Sequence, residues 1–116
     1  MQPITLTNAS FSTIVENAKG VVLVDFWVPW CMPRHLVSPV IERLAKSFAG
    51  RATVANLNVD EHASIAARYH ISGIPTVGIF RDGKLIKTWE YNDSLHVWGV
   101  LETELTAKRA EAAAQQ

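Results

Sequence analysis

Val24-Asp25-Phe26-Trp27-Val28-Pro29-Trp30-Cys31-Met32-Pro33-Arg34 runs from a buried-type strand into a turn that presents the only cysteine of the chain. Apart from Asp25, residues 21–26 are apolar and mostly β-branched, the pattern of a central strand covered on both faces. The spacing Cys-x-Pro-x belongs to dithiol redox motifs, but Arg34 stands where a second cysteine is expected. Any sulfur chemistry here has one thiol to work with.

Working outward, Leu36, Val40, Ile41, Leu44 and Phe48 form a helical stripe that Gly50 ends. Pro39 lies inside it, where the missing N–H is expected to kink the helix. Upstream, residues 4–6 read as a short strand. Phe11, Ile14, Val15 and Ala18 then recur at helical spacing, with Asn8 or Ser10 as N-cap and Gly20 as the stop. Downstream, residues 52–59 read as a buried strand. Residues 64–69 read as a short helix with Ile65, Ala66 and Tyr69 on one side. Two strands, 76–80 and 84–89, flank Arg81-Asp82-Gly83, a hairpin signal because Asp-Gly readily takes positive φ. Leu95, Trp98, Leu101 and Leu105 mark a last amphipathic helix capped near Asn92 or Asp93.

The order β-α-β-α-β-α-β-β-α combines crossover connections with one hairpin. It predicts an α/β fold with a mixed central sheet and helices on both faces. Residues 1–106 are expected to form one domain, followed by an Ala/Gln-rich tail at 107–116.

The bulk numbers narrow the function. The 116 residues are 48% hydrophobic and 19% charged, ordinary for a globular domain. Lys plus Arg and Asp plus Glu are both 11, so no net charge draws the chain to nucleic acid or to an anionic membrane. A single cysteine forbids an internal disulfide, and no apolar run approaches the roughly 18–20 residues that span a bilayer. No basic cluster followed by an apolar run marks a signal peptide at the N-terminus, so a cytoplasmic location is the default expectation. His62, His70 and His96 show no ligand spacing with Cys31 or each other, so neither a metal nor another cofactor is expected, and His35 beside Arg34 reads as an exposed helical histidine rather than a base.

With that order in hand, the chain closely resembles the thioredoxin family over roughly residues 4–106. The resemblance is carried by Val24-Asp25-Phe26-Trp27, Trp30-Cys31-x-Pro33, Pro39, Leu57-Asn58-Val59-Asp60, Gly73-Ile74-Pro75-Thr76 and the segment from Phe80 to Gly83. It implies a thioredoxin fold with Cys31 at a helix N-terminus and a cis proline, Pro75, facing it. It also implies a substrate-binding surface of Trp30, Met32, Pro33, Ile74, Pro75 and Tyr91. Four residues depart from the family pattern. Arg34 replaces the resolving cysteine, and Met32 replaces the usual glycine. Asn56 stands where a lysine is common, and Tyr91 where a glycine leaves room for a substrate backbone.

A thiol at a helix start faces free N–H groups and the positive end of the helix dipole, both of which favour the thiolate. Arg34, three residues on, adds a permanent positive charge. Cys31 is therefore expected to be a competent nucleophile. Arg34 cannot attack sulfur, so a mixed disulfide at Cys31 would persist until an external thiol released it. Asp25 in an apolar strand needs a partner. It either lends acid/base help to Cys31 or, the simpler expectation, pairs with Arg34. The catalytic candidates are thus Cys31, Asp25 and Arg34.

The leading expectation is an atypical monothiol oxidoreductase acting on proteins with disulfides or reactive thiols. Glutathione and thioredoxin reductase are its candidate redox partners. A redox-silent binding module, such as a chaperone or assembly factor, uses the same surface around Trp30, Pro75 and Tyr91. A dithiol protein engineered at Arg34 to trap its partners also fits the motif.

Overall fold

The computed structural model describes residues 3–29, 34–71, 76–90, 99 and 102–103, with the backbone path alone given for 34–40, 89 and 90. The elements are β1 (Ile4–Thr5), α1 (Asn8–Phe11), β2 (Val21–Trp27), α2 (Arg34–Ser47), β3 (Thr53–Asn58), α3 (Ala63–Arg68), β4 (Thr76–Arg81) and β5 (Lys84–Glu90). The strands form one sheet in the order β1-β3-β2-β4-β5. β1, β3 and β2 are parallel, whereas β4 runs antiparallel to β2 and β5 antiparallel to β4. This is the mixed α/β sheet expected from the element order. Of the last expected helix, Gly99, Glu102 and Thr103 are helical, and Leu95, Trp98, Leu101 and Leu105 lie outside the described residues.

β2 is central, and it is buried along both faces because side chains alternate. Val21 and Leu23 pack with Ile41, Leu44 and Phe48 of the α2 segment. Val22, Val24 and Phe26 pack on the other side with Phe11, Val15 and Ile65. The stripe predicted for α2 is correct at Ile41, Leu44 and Phe48, all at most 2% exposed. α2 continues through Pro39.

The N-terminal helix departs from expectation at its cap. Thr7, not Asn8 or Ser10, is the N-cap. Its hydroxyl accepts the Ser10 N–H, while the Ser10 side chain accepts the Thr7 N–H, closing a capping box. Ser10 thus takes the third helical position, where a reciprocal partner is needed. α1 then widens into a π-helical stretch, Ser12–Glu16, in which Asn17 N–H donates to the Ser12 carbonyl at 2.8 Å.

That widened turn is pinned by the hairpin. Asp82 and Gly83 have φ of 52° and 85°, the paired positive angles of a two-residue turn whose twist matches the flanking strands. Asp82 Oδ1 accepts the Gly20 N–H at 2.7 Å, and the Asp82 N–H donates back to the Gly20 carbonyl at 2.9 Å. Gly83 lies so close to the Glu16 carbonyl that a Cβ at this position would collide with it. Glu16 in turn accepts from the Tyr69 hydroxyl at 2.7 Å and from Arg68 at 2.9 Å. The Tyr69 hydrogen bond is the main influence holding the Glu16 carboxyl below its ordinary range, with Arg68 adding to it. Burial, then the bond to Glu16, pushes the Tyr69 phenol up to about 12. The Tyr69 ring stands edge-on to Phe80 at 5.1 Å and tilted against Phe11 at 5.7 Å. Tyr69 was expected on the packed side of α3, and it is there.

Candidate functional site

The parallel strands β2 and β3 end together, with Trp27 in register with Asn58 and Asp25 with Asn56. Thr76 opens β4 opposite Phe26, near the same end, and Glu90 closes β5 opposite Thr76. α2 begins at Arg34 and leads back along the sheet, so its C-terminal part packs on Val21 and Leu23 at the other end of β2. This end of the sheet thus gathers described residues that flank three of the sequence motifs. Trp27 and Arg34 bracket Cys31, Thr76 follows Pro75, and Glu90 precedes Tyr91.

Among the site candidates, Asp25 is fully described and Arg34 by its backbone, as the first residue of α2. Trp30, Cys31, Met32, Pro33, Ile74, Pro75 and Tyr91 lie outside the described residues. Asp25 is only 4% exposed and points to the face that α2 covers, since it alternates with Val24 and Phe26. A strand otherwise built of Val, Leu, Phe and Trp holds this carboxyl two residues before its end.

The sequence reading missed the partner of Trp27. Its indole Nε1 donates to Asn56 Oδ1 at 3.2 Å in a half-buried contact. The Trp27 carbonyl also accepts from the Val59 N–H at 2.8 Å, extending the β2–β3 pairing past the strand end. Asn58 Oδ1 accepts the Asp60 N–H at 3.0 Å, turning the chain towards α3. Trp27 is half-buried. The one sequence signal for its bond was the amide at 56, a polar residue at an inward-facing strand position.

Elsewhere, His62 Nδ1 accepts the Asn8 N–H at 3.3 Å, and the Ser64 hydroxyl bonds Asn8 Oδ1 at 3.2 Å, which fastens α1 to α3. Among the described residues no three His, Cys, Asp or Glu side chains converge as metal ligands would. No described helix is long and apolar enough to cross a membrane.

The family model for thioredoxin matches residues 2–97. Proteins named thioredoxin from Staphylococcus aureus strains Mu50, MW2 and N315 are each 44% identical to this chain over 84 residues, covering 72% of it and 79% of their own length.

Proposed function

From the chain's place in the thioredoxin family, to which it belongs over residues 2–97, we propose that it exchanges thiols and disulfides through Cys31 alone. The observation that carries this reading is the single cysteine of the chain, set between the end of β2 and the start of α2 at Arg34. The Cys31 thiolate attacks one sulfur of a substrate disulfide, forming a mixed disulfide and expelling the other sulfur as a thiolate. In a dithiol protein an internal thiol then attacks at high effective concentration. Arg34 offers no sulfur, so an external thiol such as glutathione supplies the second attack. It leaves as a mixed disulfide with the substrate fragment and returns Cys31 as thiolate.

Arg34 has a different part. Its charge favours the Cys31 thiolate and offers a counter-charge to Asp25. Two features support that pairing. Asp25 is buried on the face covered by α2, and its neighbour on β3 is the uncharged Asn56, whose oxygen is engaged by Trp27. The proposed substrates are proteins with disulfides or reactive thiols, received across Trp30, Met32, Pro33, Ile74 and Pro75. Tyr91 limits the width of that surface. The proposed setting is a reducing compartment such as the cytoplasm.

Insulin reduction with thioredoxin reductase tests the reading. The protein should fail to turn over while forming one-to-one adducts with disulfide probes, and glutathione should release them. Arg34→Cys should restore turnover. A parent protein that already matches that variant overturns the monothiol mechanism. Absence of adducts, with binding of extended peptides retained, favours a redox-silent binding module instead.

A further inference from the structure

Asn56 and Trp27 meet on the sheet face covered by α2. Val54 packs in the core layer on that side, and alternation along β3 puts Asn56 on the same face. Alternation along β2 does the same for Asp25 and Trp27. Asn56 therefore has two neighbours with different demands. The Trp27 indole can only donate, so its partner at 3.2 Å must offer an acceptor, which is the carboxamide oxygen. Asp25, paired with Asn56 across the strands, is 4% exposed. A carboxylate at 56 would accept from the indole but place a second negative charge beside a buried acid. An ammonium would bring charge but no acceptor. A neutral carboxamide meets both demands.

The ring of Trp27 is thus tied to β3 through Asn56, and its backbone is tied to β3 through Val59 at 2.8 Å. Cys31 follows Trp27 by four residues. We propose that Asn56 is a positioning residue for Cys31, acting by holding Trp27 at the mouth of the sheet. This inference rests on the redox reading of Cys31. It adds a residue on β3 that acts through Trp27.

The test uses the full chain and the rate at which Cys31 attacks an aromatic disulfide, dithiodipyridine, followed by release of thiopyridone across a pH series. Asn56→Leu keeps the approximate volume and removes the acceptor. It should slow the reaction about fivefold, the loss set by one hydrogen bond, and displace the midpoint of its pH profile. Trp27→Phe removes the donor of the same bond and serves as the second variant should Asn56→Leu fold poorly. The double variant should be no slower than the slower single variant, because both remove one interaction. The Trp27 indole resonance should lose its exchange protection in Asn56→Leu. A reactive parent whose rate and pH profile are unchanged in Asn56→Leu overturns the positioning role while leaving the redox reading intact. So does a double variant whose losses simply multiply. An unreactive Cys31 in the parent defeats both, and the indole resonance then reports a bond that serves the fold alone.

Discussion

Replacing Tyr69 with Phe removes one oxygen from a packed ring and isolates the energetics of the Tyr69–Glu16 contact. The ring should keep its place, since the edge-on contact to Phe80 at 5.1 Å and the tilted one to Phe11 at 5.7 Å involve carbon only. What disappears is an O–H donated to Glu16 Oε2 at 2.7 Å. Hydrogen bonds to charged groups contribute roughly 1.5–3 kcal/mol net. The Glu16 side chain is 26% exposed, so partial solvation puts this bond at the low end, about 1.5 kcal/mol. With an unfolding entropy of about 0.2 kcal/mol/K for a domain near this size, Tm should fall by about 7 °C. The Arg68 side chain, 52% exposed, leaves the remaining Glu16 pairing weak.

The pH dependence supplies the sharper check. The folded state lowers the Glu16 carboxyl below its unfolded value. Its contribution is therefore present above the unfolded value and is lost as pH falls through the folded one. Tyr69 is the largest cause of that lowering, so the parent should lose more stability in acid than Tyr69→Phe. The alkaline limb has the opposite sense. The phenol is raised to about 12, so its contribution is full below the unfolded value of 10.0 and disappears as pH rises through the folded one. Urea denaturation from about pH 2 to neutral, with a thermal series above pH 10, measures both limbs. A gap between parent and Tyr69→Phe that is below about 0.5 kcal/mol at neutral pH, or equal in acid and at neutrality, would refute the charge-assisted argument.

Gly83→Ala should cost at least about 2 kcal/mol in urea denaturation, because it combines a positive φ with a Cβ driven into the Glu16 carbonyl. A loss under about 1 kcal/mol, the worth of one hydrogen bond, would mean that the hairpin shifts freely away from the π-helical turn. Asp82→Ala removes the acceptor of the Gly20 N–H and places alanine at positive φ, so about 1–2 kcal/mol should be lost, with Asp82→Asn losing less. Cys31 alkylation by iodoacetamide should titrate below the roughly 8.5 of a free thiol. A midpoint at or above that value removes the argument that the helix start and Arg34 stabilise the anion.

The sequence alone determined the order of strands and helices and the β4–β5 hairpin, because those depend on local periodicity and connection length, whereas the antiparallel pairing of β4 with β2 was decided by the tertiary structure. Apart from Asp25, the apolar and mostly β-branched residues at 21–26 read as a doubly covered strand, and Asp82-Gly83 closes a hairpin by its own backbone preference. Cys31 and Asp25 stood out because they match a familiar motif, and Arg34 because it departs from it. Tertiary structure decided the rest. The choice of Thr7 over Asn8 or Ser10 as cap turned on which side-chain oxygen met which N–H, against a propensity that ranks Asn and Ser above Thr. The π-helical turn arises where Glu16 must meet Gly83, Arg68 and Tyr69, contacts more than fifty residues away that no local window contains. The pairing of Asn56 with Trp27 is of the same kind. Strand register brings an amide and an indole 29 positions apart to one face, and only that register tells a buried acceptor in use from a polar residue merely tolerated in a strand.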